Sequence, residues 1–332
     1  MPQLSEEQEF LAITRNHKAR VERRLALVLK LKDPSCVYEP VHYAIGTGGK
    51  RVRAIITLLA CEAVGGNPNS ALEAAVAVEL LHNFTLIHDD VMDNAALRRG
   101  TPTVYKKWDC NTAILAGDIL AAHAFRFVLQ TTTPRLRNVL SVFTDAFIRV
   151  CEGQGLDKDF ESRREVDSKD YALMIKGKTA ALISAAGEIG ALIGGGTKKE
   201  VVAMRKFGEH LGMAFQIQDD LLDILGVPKE FGKKIGGDIV EGKKTYLLVK
   251  GLDRAKGADR TLLRRVVPGN GMTPSAIRRI ASVYEREGVL VDARREVARY
   301  TRCAERDLRP IEPSRAKSTL LRLSRQLVVR TS

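Results

Sequence analysis

The stretch AAVAVELLHNFTLIHDDVMD at residues 74–93 decides the fold class of this chain. It belongs to a longer run, Ser70–Ala95, that is apolar on nearly every side of a helix, so a helix formed from it has to be central. Aromatic residues make up only 5% of the chain, strand-like alternation is scarce, and Ala, Leu, Arg and Glu dominate long stretches. The sequence therefore predicts an all-α protein built around this helix.

The rest of the chain also divides into helical stretches, and proline and glycine stand at the joints between them. Weaker helical patterns continue through the basic C-terminal part of the chain. Because no low-complexity linker and no internal repeat interrupts the pattern, we expect a single domain over residues 1–332. The other predicted helices are Glu6–Leu31, Lys50–Val64, Asn111–Thr131, Arg135–Gly153, Ser168–Gly194 and Lys198–Leu225.

The formal net charge of +13 is unevenly distributed along the chain. From Gly251 to Ser332 there are 19 lysines and arginines against 9 acidic residues. Such an excess suits a polyphosphate substrate, an anionic membrane surface or nucleic acid, and a solvated basic face is an equally open interpretation. Because no aromatic residues interleave with these charges in the way typical of nucleic-acid binders, we expect no nucleic-acid partner.

Cysteine usage and the N-terminus indicate a cytoplasmic protein. The five cysteines are odd in number, widely spaced and without a CxxC pair, which excludes a disulfide framework and a zinc ribbon. The first residues are acidic and polar, unlike a signal peptide. A membrane span needs about 20 apolar residues. Since Glu79 and Glu188 interrupt the two stretches considered, Ala74–Ile87 and Ala180–Ile193, we expect no spanning segment.

Two matching acidic clusters carry the strongest functional signal. Residues 89–93 and residues 219–223 both read D-D-x-x-D, and each cluster ends an apolar helical run. At 100° per residue, the first and last aspartates of each cluster lie on one face, one turn apart. Like charges at this spacing destabilise a bare helix by a few tenths of a kcal/mol. Oxygen-only ligands favour Mg²⁺ or Mn²⁺ shared with phosphates, so the pair predicts a metal-bridged phosphorylated substrate rather than two acidic helix ends.

Basic residues suited to such a phosphate recur near both clusters. Arg98-Arg99-Gly100 follows the first cluster, and Gly48-Gly49-Lys50-Arg51-Val52-Arg53 opens a predicted helix whose N-terminus offers free N–H groups. The string Gly177-Lys178-Thr179 is similar to the end of a P-loop, but Ala172 stands where that motif needs glycine. A third set, Gly232-Lys233-Lys234 and Gly242-Lys243-Lys244, follows the second cluster. No HExxH string is present, so zinc protease chemistry is not expected.

In order and spacing, these motifs resemble the isoprenyl diphosphate synthase family, the trans-polyprenyl synthetases. The resemblance covers roughly residues 41–249, and LVVR at residues 327–330 also fits. One departure is Lys234, where the family often has proline. The resemblance implies an all-α, isoprenoid synthase-like helical bundle around a deep central cavity, usually a homodimer. The similar stretches are GGKRVR at 48–53, LIHDDVMDNAALRRGTPT at 86–103, GKTAAL at 177–182, FQIQDDLLDILG at 215–226 and FGKKIGGDIVEGKKT at 231–245.

The resemblance also implies the reaction, in which isopentenyl diphosphate condenses with dimethylallyl, geranyl or farnesyl diphosphate. Three Mg²⁺ ions, replaceable by Mn²⁺, would hold the allylic diphosphate through Asp89, Asp93 and Asp219, supported by the other aspartates of the two clusters, Asp90, Asp220 and Asp223. Lys178 and Lys233 complete the expected catalytic set. The residues implied for isopentenyl diphosphate are Lys50, Arg53, His82 and Arg99. The residues implied for the allylic diphosphate are Arg98, Lys178, Thr179, Gln216, Lys233 and Lys243.

Other functions remain open at this point. A terpene cyclase or a squalene- or phytoene-type synthase also uses aspartate-rich helices, but it needs no isopentenyl diphosphate site, and GGKRVR and Arg99 argue against it. A non-catalytic prenyltransferase subunit usually lacks one aspartate motif, and both are intact here. The basic C-terminal part is interpreted as surface charge that helps the protein to contact an anionic membrane.

Product length is expected to depend on the helix before the first cluster. Thr85, Leu81 and Val78 lie 4, 8 and 11 residues before Asp89, stay within about 80° of its direction and reach roughly 16 Å deeper. Phe84 is the aromatic residue near the top of this wall.

In the family, a single aromatic residue at the fifth position before a plain D-D-x-x-D resembles archaeal-type geranylgeranyl (C20) synthases, whereas paired aromatics resemble farnesyl (C15) synthases. His123, on a neighbouring predicted helix, is a candidate for closing the floor of the cavity. We therefore expect geranylgeranyl diphosphate, with farnesyl diphosphate as intermediate or co-product and longer chains (C25 or more) as the alternative. The competing interpretation is that Phe84 and His123 are ordinary core residues and do not set the product length.

Overall fold

The computed structural model describes residues 5–28, 33–226 and 236–328, and helices dominate them, as predicted. Within these residues the β structure is one short antiparallel hairpin of β1 (Leu97–Arg98) and β2 (Thr101–Pro102). The helices of the first half are α1 Glu6–Val28, α2 Ser35–Gly46, α3 Val52–Ala63, α4 Leu72–Met92, α5 Val104–Lys107, α6 Cys110–Leu129, α7 Leu136–Ser162 and α8 Ser168–Ile175. Those of the second half are α9 Ala181–Ile193, α10 Lys198–Leu225, α11 Gly237–Glu241, α12 Tyr246–Arg254, α13 Gly257–Leu263, α14 Pro274–Arg286, α15 Val289–Asp307 and α16 Arg315–Val328.

Helices α2 and α7 differ from the sequence prediction. Helix α2 was not predicted, because Pro40 stands inside it. Helix α7 was predicted to end at Gly153 but continues to Ser162. A Cβ atom at Gly153 would lie 2.1 Å from the backbone nitrogen of Lys178. Glycine there permits close packing of backbone on backbone and does not end the helix.

The stretch predicted as one helix over Ser168–Gly194 contains a change of helical type. Asp167 and Asp170 form a capping box at the start of α8. After Ile175 the chain forms a π-helical turn, Lys176–Ala180, before α9 begins. Such turns occur frequently at functional sites. This turn contains Lys178 and Thr179, two of the predicted substrate-binding residues.

The chain groups into two compact units. The first consists of Met1–Phe147, Leu182–Gly208 and Asp307–Leu323, and the second consists of Ile148–Ala181, Glu209–Arg306 and Ser324–Ser332. In the first unit, α4 packs against α1, α3 and α6, and nearly all of its side chains from residue 74 to residue 81 are fully buried. Helix α4 is therefore central, as the sequence predicts.

The second unit has its own apolar core. Side chains from α8, α10, α12, α14 and α15 form one buried cluster there, and Tyr284 is among its largest members. The predicted helical stretches of the basic C-terminal part are present as α14, α15 and α16. Their apolar sides are buried and most of their arginines are exposed.

One described helix, α6, is long and apolar enough to cross a membrane by these two criteria alone, a test that core helices of soluble proteins also pass. It is not one of the two stretches that the sequence analysis considered. Ile114, Leu115 and Leu129 on this helix are 41%, 53% and 58% exposed. Helix α6 thus exposes three large apolar side chains at the surface of the first unit.

Candidate active site

The first acidic cluster lies at the C-terminal end of α4, in the first unit. Asp89 and Asp90 lie in its last turn, and Asp93 caps the helix by donating its backbone N–H to the carbonyl of Asp89 at 2.8 Å. Asp89 and Asp93 are therefore one turn apart, as predicted, and both are partly exposed. Asp90 lies on another side of the helix and is only 4% exposed.

A hairpin after α4 brings a cation to the buried aspartate. Arg98 Nε and Nη2 donate to Asp90 Oδ1 at 2.8 and 2.7 Å. Burial by itself lowers the pKa of Arg98, but the hydrogen bond and charge of Asp90 outweigh this effect and raise the pKa above its ordinary value. The two central residues of the turn, Arg99 and Gly100, have φ of 53° and 77°, as a type I′ hairpin turn requires. A cavity of about 30 Å³ lies beside Asp90 and these arginines.

The four residues predicted to bind isopentenyl diphosphate, Lys50, Arg53, His82 and Arg99, lie in the first unit. We call them the basic region. Arg53 Nη1 lies 3.1 Å from His82 Nε2. Arg99 donates to the carbonyl of Gly48, and a Cβ atom on Gly49 would lie 3.1 Å from its guanidinium nitrogens. Lys50 follows these glycines directly and is exposed.

Burial and mutual repulsion shift the pKa values in this basic region. Burial lowers the pKa of Arg53 to about 10, with Arg99 adding to the effect. Burial, with the charges of Arg53 and three further arginines, lowers the pKa of His82 well below its ordinary value. Because a guanidinium can only donate, His82 is neutral and its Nε2 accepts from Arg53. The region therefore combines several cations with a neutral imidazole, an arrangement suited to an anion with two phosphates.

Arg51 has a different role from Lys50 and Arg53, its neighbours in the GGKRVR motif. It has φ of 53° and is 5% exposed, and it donates to Glu79 Oε1 at 3.1 Å and to the carbonyl of Ile45 at 3.0 Å. Glu79, which the sequence analysis noted only as an interruption, is thus the buried partner of this arginine. Arg51 fixes the loop that presents Lys50 and Arg53.

The second acidic cluster lies near the C-terminal end of α10, in the second unit. Asp219 is exposed, Asp223 is partly exposed, and Asp220 is 3% exposed. Asp223 accepts the backbone N–H of Asp238 at 3.2 Å, at the start of α11. The pattern of burial repeats that of the first cluster, with the outer aspartates accessible and the second aspartate buried.

Neutral donors surround the buried Asp220. Its Oδ2 accepts from the Tyr171 hydroxyl and from the backbone N–H of Tyr246, both at 2.8 Å. Its Oδ1 accepts from Gln216 Nε2 at 3.0 Å, and Gln216 Oε1 accepts from the Thr179 hydroxyl at 2.8 Å. Burial, reinforced by the nearby charge of Asp238, raises the pKa of Asp220 to about 7. These hydrogen bonds connect Thr179 and Gln216, two residues predicted to bind the allylic diphosphate, to the second cluster.

The predicted lysines have varied surroundings. Lys178 Nζ lies 2.5 Å from Asp157 Oδ2, and Lys243 Nζ lies 2.6 Å from Glu241 Oε2. Lys233 lies outside the described residues. Sequence reasoning missed Asp157 and Tyr171, because their partners stand 21 and 49 residues away along the chain. Arg98, predicted for the allylic diphosphate, belongs to the first unit with Asp90.

The residues predicted to set product length lie in α4 and α6 of the first unit. Phe84 is 9% exposed and its ring meets that of Phe147 on α7, with centroids 5.2 Å apart in an edge-to-face arrangement. Leu81 is fully buried, and the Thr85 hydroxyl donates to the carbonyl of His82 at 2.8 Å. His123 on α6 meets Tyr38 of α2, with ring centroids 6.2 Å apart. Phe147 is an aromatic neighbour of Phe84 that the sequence analysis did not name.

The donor set of both clusters fits a hard divalent cation. Within the described ranges, no group of three or more His, Cys, Asp or Glu side chains is arranged to hold a metal by itself. Each cluster instead offers carboxylates at i and i+4 that remain accessible beside a buried one. Mg²⁺ usually takes one or two carboxylates and fills its other positions with phosphates and water. Asp89 and Asp93 in the first cluster are therefore suitable ligands for such an ion, and so is Asp219 in the second.

Comparison with known proteins agrees with this geometry. Residues 34–285 match the family model described as polyprenyl synthetase. The chain is 38% identical over 313 residues to a short chain isoprenyl diphosphate synthase from Methanothermobacter thermautotrophicus, which covers 94% of this chain and 96% of that protein. The geranylgeranyl pyrophosphate synthetase of Pyrococcus horikoshii superposes with a TM-score of 0.93 at 34% identity, over 98% of this chain and 99% of that one.

A further similar structure is a polyprenyl synthase from Caulobacter crescentus in complex with calcium and isoprenyl diphosphate, with a TM-score of 0.90, 28% identity and full coverage of both chains (100% each). Proteins of this family use isoprenyl diphosphates as substrates and a divalent metal to bind the diphosphate. The chain belongs to the polyprenyl synthetase family and is a trans-prenyltransferase with the all-α isoprenoid synthase fold.

Proposed function

We propose that this enzyme condenses isopentenyl diphosphate with allylic diphosphates to make geranylgeranyl diphosphate, with Mg²⁺ as the divalent metal. The observation that carries the proposal is the pair of D-D-x-x-D clusters, each at the end of a helix with its second aspartate buried and its outer aspartates accessible. The name of the similar Pyrococcus horikoshii protein, a geranylgeranyl pyrophosphate synthetase, supports the product class.

In this proposal Asp89, Asp93 and Asp219 would hold the Mg²⁺ ions, expected to be three, together with oxygens of the allylic diphosphate. When bound, the ions neutralise the negative charge that gathers on the leaving diphosphate. Lys178 adds a positive charge, and its ion pair with Asp157 holds the ammonium group in place. Thr179 and Gln216 contact the same diphosphate or the aspartates around it. The cations Arg98, Lys233 and Lys243 complete the allylic set.

Isopentenyl diphosphate binds, in this proposal, to the basic region of the first unit. Lys50, Arg53 and Arg99 pair with its phosphates, and neutral His82 keeps Arg53 oriented through their 3.1 Å contact. Arg51 is excluded from this role, because its guanidinium is buried against Glu79. The reaction needs no side-chain nucleophile. The C–O bond of the allylic diphosphate breaks to give an allylic cation and diphosphate, the double bond of isopentenyl diphosphate attacks this cation, and a proton is then lost to the released diphosphate.

The C20 product depends on the wall formed by α4. Phe84 and Leu81 are bulky and buried, whereas Thr85 is small. We propose that Phe84, supported by Phe147, blocks the growing chain after four isoprene units and that His123 forms part of the floor.

We further propose a cytoplasmic homodimer. All five cysteines are free, which suits a reducing compartment. In this proposal a second copy covers the exposed apolar side chains of α6, which are Ile114, Leu115 and Leu129. Leu115→Arg should halve the mass measured by light scattering, whereas Leu173→Arg, at a leucine 60% exposed on α8, should not. The exposed arginines of the C-terminal helices are proposed to aid peripheral contact with anionic membranes.

Product analysis tests the proposed function. The enzyme is supplied with radiolabelled isopentenyl diphosphate and, in turn, dimethylallyl, geranyl or farnesyl diphosphate, and the products are separated by chain length. We expect C20 as the main product from all three primers, C15 as a minor product, no product in EDTA, and recovery on adding Mg²⁺. Products of C25 or more would contradict the length assignment, and products formed in EDTA would contradict the metal assignment.

A further inference from the structure

A second cavity, of about 390 Å³, lies within the second compact unit, among α8, α10, α12 and α15. Its size falls in the range of small-molecule sites. None of its lining residues belongs to the acidic clusters or to the sets proposed for the two substrates. The cavity therefore needs an explanation apart from the condensation reaction.

The floor of this cavity is apolar and aromatic. Met213 and Ile217 of α10 are 5% and 1% exposed, and both line it. The rings of Tyr171 and Tyr246 stand edge to face with centroids 5.8 Å apart and form one wall. Ala172 is the small, partly exposed residue at the entrance. Such a floor suits the hydrocarbon part of a ligand.

The rim of the cavity has an excess of available positive charge. Its two acids, Asp292 and Glu296, are already paired with Arg254 and Arg299 respectively, the latter at 2.7 Å. Its two cations are Lys250 and Arg295. Within the ranges that the structure describes, neither of these cations forms an ion pair. An anionic head group at the rim would therefore meet two available cations above an apolar floor.

The cavity floor is connected to the second acidic cluster by hydrogen bonds. The Tyr171 hydroxyl and the Tyr246 backbone N–H both donate to Asp220 Oδ2 at 2.8 Å. Asp220 stands next to Asp219, the proposed metal ligand. A ligand that moves either tyrosine would therefore change the support of that aspartate.

We propose that this cavity is a second, regulatory site for an organic phosphate with a short apolar chain, such as a prenyl diphosphate. The identity of the ligand and its effect on turnover rest on the proposed function, whereas the existence of an anion site does not. Prenyl diphosphates combine the anionic head and the hydrocarbon tail that rim and floor require. Occupation of the site acts on the second acidic cluster through Tyr171 and Tyr246.

The binding test is calorimetric titration of the full-length enzyme with geranyl diphosphate in EDTA and saturating isopentenyl diphosphate, so that the metal-dependent subsite cannot hold the probe and the basic region of the first unit is already filled. The double variant Lys250→Ala/Arg295→Ala should weaken binding at least tenfold, and Ala172→Trp should weaken it by filling the entrance. The matched control is Lys256→Ala/Arg294→Ala, which removes two exposed cations that do not line the cavity and should leave affinity within twofold. Inorganic pyrophosphate and geraniol, each tested alone, should bind more weakly than geranyl diphosphate.

Equal affinity of the wild type and the cavity variants would overturn the site, even if the enzyme makes geranylgeranyl diphosphate. Conversely, the site would stand if the cavity variants lose binding in an enzyme whose product is different. Circular dichroism checks that Ala172→Trp folds, and the double alanine variant, which only shortens side chains, decides the matter if it does not.

The coupling is tested with citronellyl diphosphate, an analogue of geranyl diphosphate that lacks the 2,3-double bond and so cannot form an allylic cation. In the wild type with Mg²⁺ and dimethylallyl diphosphate as the allylic substrate, whose C5 chain covers less of the apolar floor than the C10 chain of the analogue, part of its inhibition should persist at saturating substrate. This part should disappear in Lys250→Ala/Arg295→Ala and in Tyr171→Phe. Inhibition that is fully relieved by allylic substrate in the wild type would overturn the coupling to the second acidic cluster.

Discussion

The two acidic clusters have the same sequence pattern but hold their buried aspartates by different means. In the first cluster Asp90 is paired with a cation, since Arg98 donates to it through two nitrogens. In the second cluster Asp220 has no such cation among its hydrogen-bond donors in the described residues, which are the neutral groups of Tyr171, Tyr246 and Gln216. The buried position is thus satisfied by charge in one cluster and by dipoles in the other.

This difference shows that a repeated motif does not imply a repeated environment. The outer aspartates are accessible in both clusters, so each cluster can bind a divalent cation of the same kind. We therefore expect these residues to be equally important for turnover. The buried aspartates support the outer ones. The loss of stability when a buried aspartate is replaced should depend on whether its hydrogen-bond partners are charged or neutral.

The largest effect is expected at the proposed metal ligands. Asp89→Ala and Asp219→Ala should each lower turnover by at least about 100-fold, because each removes a carboxylate that holds the charge-neutralising ion. Steady-state assays with geranyl diphosphate and isopentenyl diphosphate measure this loss. Asp145→Ala, at an exposed aspartate of α7, is the control and should retain full activity. An active Asp219→Ala enzyme would mean that the second cluster does not bind metal.

Next in size is the contrast between the buried aspartates. Asp90→Asn should destabilise the protein by about 1–3 kcal/mol, since it leaves a partly buried guanidinium without its anion. Asp220→Asn should cost less than about 1 kcal/mol, because rotation of the Gln216 amide and the Thr179 hydroxyl allows an amide to take the place of the carboxylate. Urea denaturation in EDTA measures both. A larger loss in Asp220→Asn would reverse the comparison.

The same pair predicts a pH dependence. Burial, with the charge of Asp238, raises the folded-state pKa of Asp220 to about 7, above the ordinary value of 3.8. The folded protein therefore binds more protons than the unfolded chain between these values, and this carboxyl contributes less stability as pH rises through that window. Urea midpoints of the wild type in EDTA, measured from about pH 5 to pH 8, should fall more steeply than those of Asp220→Asn. Parallel curves would contradict the raised pKa.

The sequence predicts features that depend on neighbouring residues, but it does not predict contacts between residues far apart along the chain. The i,i+4 placement of Asp89 and Asp93 and the central position of α4 depend on local periodicity, and both predictions are confirmed. The partners of Asp220 stand up to 49 residues away and depend on packing. Gly153 looks like a helix end in sequence but serves close packing in the fold.

The GGKRVR motif shows the same limit. The resemblance implied Arg53 but not Arg51 for isopentenyl diphosphate, and the two side chains differ in the fold: a left-handed backbone at Arg51 turns that side chain towards Glu79, while Arg53 contacts His82. No local pattern separates these two arginines. The chain groups into two compact units. A single domain over residues 1–332 stays a prediction.

A smaller effect, on product length rather than rate, separates the helices that precede the two clusters. Phe84→Ala on α4 should shift the product beyond C20, and Thr85→Phe should shift it toward C15, because bulk on this wall limits the chain. Phe215→Ala provides the matched change on α10, four residues before Asp219, and should leave the product length unchanged. Chromatography of the dephosphorylated products measures the three distributions. Unchanged length in both α4 variants would show that this helix does not limit the chain.

The smallest effect compares two tyrosine hydroxyls, one near each cluster. Tyr171 donates to buried Asp220 at 2.8 Å, and Tyr43 donates to the carbonyl of Pro102 at 2.7 Å in an exposed setting. Tyr171→Phe should cost about 1–2 kcal/mol of unfolding free energy, because water cannot replace the lost donor at a buried carboxylate. Tyr43→Phe should cost less than about 0.5 kcal/mol, because water reaches the freed carbonyl. Urea denaturation of both variants at pH 8, where Asp220 is mostly ionised, measures the difference. Equal costs would mean that the Tyr171 hydroxyl contributes no more than an exposed one and that the backbone N–H of Tyr246 and the Gln216 amide suffice to hold Asp220.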